Sequence, residues 1–334
     1  MKDKKFILAV CIFSFMVLNS WGQEKYLNSL LRFPASLNPS FHAFQEKTKV
    51  GVASEFVSGG KTGDYSQHDY AFATTFLESY NFQLALDFYN NRLSSSGYNY
   101  TNVLATYAYK LRLDSNWFVY PAISAGYGSY RFDFNNLVFQ DQLDILSARI
   151  RPITQDPILA SDNFGFFDMG LSAMIRNQKN FVFGISLKHL NQPALQSQAT
   201  GQSVNLEMLM NVQLGYELEM NPYGQNRLPD FSFLYLFTSI SRQGKEMRNS
   251  IFQELTLGNV FVGLSEHLNV LDDINFVDLG IGGGIFINGI EFGINYRVPF
   301  GQMAQFYVPN SLELTLAFDL SGSQRRRANF SRFY

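Results

Sequence analysis

Between Asn205 and Met220, Leu206, Met208, Met210, Val212, Leu214, Tyr216, Leu218 and Met220 take every second position. Asn205, Glu207, Leu209, Asn211, Gln213, Gly215, Glu217 and Glu219 stand between them. Successive side chains of a strand point to opposite faces, so this order predicts a long strand with one apolar and one mainly polar face. The pattern recurs. Phe82, Leu84, Leu86 and Phe88 alternate with Gln83, Ala85 and Asp87, and Phe181, Phe183, Ile185 and Leu187 with Val182, Gly184, Ser186 and Lys188. Near the C-terminal end Ile290, Phe292, Ile294, Tyr296 and Val298 oppose Glu291, Gly293, Asn295 and Arg297. Leu312, Leu314, Leu316, Phe318 and Leu320 likewise oppose Ser311, Glu313, Thr315, Ala317 and Asp319. By this criterion candidate strands span 47–57, 66–77, 80–90, 98–112, 116–131, 164–176, 180–190, 205–220, 229–241, 247–257, 259–268, 275–287, 289–299 and 310–320. That is about 14 strands, an even number that returns the chain to the side it started from, as in bacterial single-chain barrels.

Tight connections are predicted at Glu78-Ser79-Tyr80, Asn177-Gln178-Lys179 and Asn288-Gly289, the last a pair that favours a type I′ hairpin. Two connections are longer, 132–163 and 191–204, and read as surface loops or an inserted plug. Leu143-Asp144-Ile145-Leu146 makes the first too apolar for a solvated tether, so it is expected to be ordered and to fold over or into the barrel.

Alternation alone fits a soluble sandwich as well as a barrel in lipid, and the N-terminus separates the two. Lys2, Lys4 and Lys5 precede an apolar stretch from Phe6 to Leu18 and then Ser20, Trp21 and Gly22, the layout of a secretory signal peptide over residues 1–22 cut between Gly22 and Gln23. The one cysteine, Cys11, lies inside that stretch behind Val10, too bulky for a lipoprotein box, so the mature chain is expected to have neither disulfides nor thiol chemistry. Beyond the signal no apolar run reaches the roughly 18 residues of a spanning helix. An exported chain of amphipathic strands fits a closed barrel, which satisfies its backbone hydrogen bonds internally within lipid. The fold class is therefore all-β, a transmembrane antiparallel β-barrel in the outer membrane of a Gram-negative bacterium. Around the barrel, 47–320, a periplasmic leader at 23–46 is expected to pack beneath it, and a basic tail with Arg325, Arg326, Arg327 and Arg332 occupies 321–334.

Composition agrees with a lipid-facing surface. Aromatic residues make up 16% of the chain and charged residues only 16%, against about 25% charged in ordinary soluble domains. Loss of residues 1–22 removes Lys2, Asp3, Lys4 and Lys5 and takes the formal balance from −2 to −4, which points away from nucleic acid. Tyr107, Tyr109, Tyr127, Tyr130, Phe237, Tyr296 and Phe318 are expected to form the interfacial girdles.

Catalytic signals are weak. His42, His68, His189 and His267 stand alone, outside metal-ligand spacing, and read as lumen or surface residues. Gly282-Gly283-Gly284 lacks the Lys-Ser/Thr of a phosphate loop, and Ser186 and Ser265 lack a G-x-S-x-G elbow. No metal, cofactor or enzymatic activity is expected. What remains is a set of charges on the minor faces: Asp87, Lys188, Glu207, Glu217, Glu291, Arg297 and Glu313, together with Glu55, Lys110 and Glu219, read as lumen residues that either satisfy a polar interior or line a pore. Arg at lipid-facing Leu316 should cost roughly 2–4 kcal/mol and at lumen-facing Thr315 much less.

In the leader, Gln23, Tyr26 and Asn38-Pro39-Ser40-Phe41 stand in that order, followed by Tyr107-Ala108-Tyr109, Leu137-Val138-Phe139-Gln140-Asp141-Gln142, Gly170-Leu171-Ser172 and Gly293-Ile294-Asn295-Tyr296. In these motifs the chain resembles the PorP/SprF family of outer-membrane proteins associated with the type IX secretion system of Bacteroidetes. That family's mature chains open with Gln, Tyr and an Asn-Pro-Ala-aromatic motif. Ser40 replaces the usual Ala, and Ser311-Leu312-Glu313-Leu314 the usual His-Glu-Ile of the terminal strand. The resemblance implies a non-enzymatic barrel that helps to secrete or anchor a cognate surface adhesin of the gliding machinery. Periplasmic type IX lipoproteins would be further partners, and Tyr26, Asn38, Pro39, Phe41, Asp141 and Gln142 the candidate partner contacts. The alternative function is a porin or small-solute channel.

Overall fold

The computed structural model describes residues 27–58, 65–94, 97–132, 143–144, 149–150, 163–196, 203–222, 227–270, 274–300 and 310–321. Fourteen strands form the wall. They are β1 (Lys49–Ser58), β2 (Tyr65–Leu77), β3 (Phe82–Leu93), β4 (Tyr98–Tyr109), β5 (Trp117–Phe132), β6 (Asn163–Asn177) and β7 (Phe181–Lys188). The second half comprises β8 (Leu209–Glu219), β9 (Ser232–Gln243), β10 (Glu246–Leu257), β11 (Val260–Val270), β12 (Ile274–Ile287), β13 (Ile290–Pro299) and β14 (Ser311–Asp319). Each pairs antiparallel with its neighbour in sequence, and β14 returns to β1 in a register running from Lys49↔Asp319 to Val57↔Ser311, which closes the sheet. Closure removes the edge strands that lipid cannot hydrogen-bond.

The side-chain alternation sets which face meets lipid. On β3, Gln83, Ala85 and Asp87 point inward and are buried, whereas Leu84, Leu86 and Phe88 are exposed. The same division separates Val182, Ser186 and Lys188 from Phe183 and Ile185 on β7, and Glu291 and Arg297 from Ile290, Phe292, Ile294, Tyr296 and Val298 on β13. So continuous an outer belt of exposed large apolar residues has no place on a soluble monomer and suits the hydrocarbon of a bilayer. Tyr107, Tyr109, Tyr127 and Tyr296 are on that outer surface. Phe237 is not: it is buried on the inner face of β9, against Tyr235 and Phe252.

The three turns expected at 78–80, 177–179 and 288–289 share one end, although the two-residue turn between Gln243 and Glu246 is at the other. Asn81 (φ 54°) ends the Glu78–Tyr80 turn, and Asn288 (φ 50°) and Gly289 (φ 82°) both take the positive φ of a type I′ hairpin. Asn177 caps its own turn, its Oδ1 accepting the N–H groups of Lys179, Asn180 and Phe181 at 3.1, 2.8 and 2.8 Å. This end also holds the start of β1 and the finish of β14, and by the usual order of such barrels it is periplasmic. The long connections lie at the other end. The first is largely outside the described residues. The second carries a small hairpin, Ala194–Gln196 against Ser203–Asn205, so the alternation that begins at Asn205 is split: the wall strand starts only at Leu209. Glu207 therefore precedes the wall and is exposed rather than lining the lumen, and Glu219 at the far end of β8 is exposed too.

Candidate functional site: a lumen filled by the leader

A barrel of this many strands encloses more space than wall side chains fill on their own, since about eight strands already give a side-chain-packed interior. The wall's inner face is nevertheless apolar over much of its area: Phe118, Tyr120, Met174, Val182, Tyr235, Phe237 and Phe252 all point inward and are buried. They pack on the leader. Leu30, Leu31, Ala35, Leu37, Phe41, Ala43 and Phe44 join them in one apolar cluster, and Leu27 and Phe33 join a second with Ala53, Tyr70 and Ala317. The described leader thus lies within the barrel, not beneath it. The sequence Leu-Asn-Ser-Leu-Leu-Arg-Phe is too apolar for a solvated segment, and the lumen is where it escapes water.

Local chemistry shapes the leader to fit. Pro34 and Pro39 each begin a short 3-10 turn, Pro34–Ser36 and Pro39–Ala43, where a missing N–H costs nothing. Asn38, held extended before its proline, caps the second turn by accepting from Ser40 N (3.2 Å) and Ser40 Oγ (2.6 Å). Gly184 on β7 makes room for this turn, because a Cβ there would lie 2.5 Å from Phe41 Cε2 and 2.6 Å from Asn38 Nδ2. The leader's free carbonyls are satisfied from the wall: Ser186 Oγ donates to Leu37 O, and Tyr89 OH to Ser36 O, both at 2.8 Å. Ser40 N in turn donates to Ser172 Oγ at 3.1 Å.

Charged groups fix the leader at four points. Near the outer half, the backbone N–H groups of Asn28 and Ser29 donate to the two oxygens of Glu313, each at 2.8 Å. Arg32 pairs with Glu254 (2.9 Å) and Glu291 (3.3 Å) while its guanidinium stacks 3.8 Å from the Phe261 ring centroid, a combination of charge and π-face that suits arginine rather than lysine. His42 Nε2 lies 2.9 and 3.0 Å from the Asp87 oxygens, and Tyr70 OH donates to the same carboxylate at 2.7 Å. At the periplasmic mouth Glu46 receives Lys110 Nζ (2.5 Å), Arg176 Nη2 (3.0 Å) and the Tyr120 hydroxyl. Beside this mouth a cavity of about 110 Å³ remains, bordered by Arg32, Lys47, Lys49, Phe72, Glu291 and Asp319.

Glu46 lies outside the strands, and its acidity reports the anchor. Burial pushes its carboxyl up, but the hydrogen bonds from Lys110 and Tyr120 and the charge of Arg176 outweigh that and hold it below the usual carboxylate value. A depressed folded-state pKa supplies stability above the unfolded value and loses it as pH falls through the folded one. Glu46→Gln should therefore lower the barrel's unfolding temperature at neutral pH. In acid below the depressed pKa the two proteins should unfold together, as read by heat-modifiable gel mobility.

Of the charges expected in the lumen, the structure brings Glu55, Asp87, Lys110, Glu291 and Glu313 onto the leader directly. Arg297 reaches it through Glu55 and Ser311. Lys188 is buried with its Nζ 4.8 Å from the Tyr89 ring, and Glu217 is buried on β8. Asn38, Pro39 and Phe41 are together in the capped turn, fully inside. Gly22, Gln23, Tyr26, Asp141, Gln142 and the arginines of the tail lie outside the described residues. No sequence pattern singles out Arg32 or Glu46, gives Asn28 of the leader a role, or pairs His42 with Asp87. The available signal was on the wall: Phe231-Ser232-Phe233-Leu234-Tyr235-Leu236-Phe237 breaks alternation by placing large apolar groups on both faces, which an aqueous lumen would not reward.

A family profile described as "Type IX secretion system membrane protein PorP/SprF" matches residues 19–318, the segment that contains both wall and leader. The chain belongs to the PorP/SprF family. No curated protein sequence matches it. Among solved structures this PorP/SprF protein is similar to the TodX deltaS2S3 mutant monoaromatic hydrocarbon channel, at 9% identity and TM-score 0.51 over 91% of this chain and 97% of that one. It is also similar to Acinetobacter baumannii Omp33 (9% identity, TM-score 0.45, 83% of this chain and 100% of that one) and to the P. putida toluene transporter TodX (8%, 0.47, 86% and 93%). The first likeness supports the outer-membrane barrel fold and nothing about cargo. The PorP/SprF protein is an integral outer-membrane barrel of the type IX secretion system, with its leader folded inside.

Proposed function

We propose that this PorP/SprF barrel serves as a closed scaffold that helps to secrete or anchor a cognate surface adhesin, working with the type IX machinery and its periplasmic lipoproteins rather than passing solutes. One observation carries the reading: the leader fills the lumen with both an apolar cluster and buried ion pairs, so the described interior is packed where a porin's is wet. Family membership supplies the secretion system. The adhesin is the partner class that the resemblance to this family implies.

The test has two arms. The surface proteome of a deletion strain is compared with its parent, and the purified barrel is reconstituted in planar bilayers. Depletion of one large surface protein with electrically silent bilayers is the expected result. An unchanged surface proteome with steady, large-conductance channels would instead establish a small-solute porin.

A further inference from the structure

The register that closes the barrel places Glu55 of β1 directly opposite Glu313 of β14, and both side chains are fully buried. Directly opposed residues of an antiparallel pair hold their Cβ atoms roughly 4.5–5.5 Å apart, and like charges there oppose pairing. Two buried carboxylates at the one junction between first and last strands would therefore push the seam open unless donors surround them. The wall supplies part of that shell. Arg297 Nη2 donates to Glu55 Oε1 at 2.7 Å, Asn295 Nδ2 to Glu313 Oε1 at 3.3 Å, and Asp278 stands 3.5 Å from Arg297 Nη1, dividing its charge. His267 lies beyond, 3.7 Å from Asp278.

The leader supplies the rest. Asn28 N and Ser29 N cover both oxygens of Glu313, and Asn28 Nδ2 donates to Glu55 Oε1 (3.1 Å) and to Ser311 Oγ (2.9 Å). A single residue, Asn28, thus bridges β1 and β14. At the periplasmic end of the same seam Lys47, where the leader runs into β1, pairs with Asp319 at 2.9 Å, and Leu320 N donates to Thr48 O at 2.8 Å.

We propose that the leader is the clasp of barrel closure: Asn28 and Ser29 satisfy the Glu55–Glu313 pair that the register forces together, so that seating the leader and sealing β1 against β14 are one event. A plug added to a finished barrel would need no contact with the seam. This one concentrates its backbone donors there, and its removal takes both backbone N–H donors from Glu313 and the Asn28 amide from Glu55.

The experiment refolds the full mature chain into lipid vesicles and reads folded barrel by heat-modifiable mobility. Asn28→Asp is nearly isosteric but turns the bridging donor into an acceptor beside Glu55, and should reduce folded barrel about tenfold or more, the scale of an unpaired buried charge. Adding Glu55→Gln, whose amide can donate back, should return folding to the level of Glu55→Gln alone, whereas adding Glu254→Gln should not. Cysteine pairs on the lipid face locate the defect. Val52→Cys with Leu316→Cys reads the seam, and Ile185→Cys with Val212→Cys reads the β7–β8 pairing, each pair opposed in register. Disulfide loss in Asn28→Asp should fall on the seam pair. Normal folding of Asn28→Asp, failure of Glu55→Gln to restore it, or equal loss at both cysteine pairs would each overturn the proposal.

Discussion

Gly184→Phe is expected to turn a silent barrel into a conducting one. Gly184 is on the inner face of β7, where even a Cβ would meet Phe41 and Asn38 at 2.5 and 2.6 Å, and a phenyl ring would need the space of the capped turn Pro39–Ala43. Overpacking by a methylene or two costs about 1–3 kcal/mol, and a whole ring exceeds what side-chain shifts absorb. The wall has little reason to yield, because Phe183 and Ile185 beside it face lipid and β7 is paired along its length with β6 and β8. The leader can move instead, and since Asn28 and Ser29 stay on Glu313, the barrel remains closed while the turn lifts away. In planar bilayers the variant should show discrete conductance steps absent from the parent protein, and externally added protease should cut near Phe41. A silent, protease-resistant Gly184→Phe barrel would mean that this turn does not block a passage.

The wall was legible because a strand's face assignment depends only on position within the strand. Leu84, Leu86 and Phe88 meet lipid because they are even-numbered on β3, whatever lies inside, and the Asn288-Gly289 turn follows from the φ values those two residues tolerate. The interior was not legible in the same way. Asn28 meets Glu313 across a separation of 285 residues and His42 meets Asp87 across 45, and no local pattern encodes such a meeting. The polar minor faces were equally consistent with water and with a buried segment, since both satisfy an inward Asp or Gln. Inward aromatics such as Tyr120, Phe237 and Phe252 break the tie: they require an apolar partner inside, and the leader with Leu30, Phe41 and Phe44 is an apolar stretch left without one on the wall. Glu207 shows the opposite failure. Its alternation continues unbroken from β8, but the chain has already left the wall for the Ala194–Gln196 hairpin, and periodicity does not reveal where a ladder changes partner.

That filled interior reverses the expectation for charge on the inner face. For lipid-facing Leu316, an introduced Arg near mid-membrane should cost roughly 2–4 kcal/mol. Thr315 faces the other way, and in a wet pore Arg there would reach water. Here Thr315 is buried, opposite Ala53 on β1 and Gly293 on β13, with the neighbouring inward residue Ala317 packed under Leu27 and Phe33. An Arg at 315 has no room without displacing the leader, and would bring a cation between the seam acids and the apolar cluster below them. Its cost is overpacking plus burial of a charge whose best partner, Glu313, already accepts from Asn28 and Ser29. Thr315→Arg should therefore lose at least as much folded barrel as Leu316→Arg, and the smaller Thr315→Ser should lose little. Measured by urea titration in vesicles, a Thr315→Arg barrel markedly more stable than Leu316→Arg would show that the lumen is wet at this depth and the leader readily displaced.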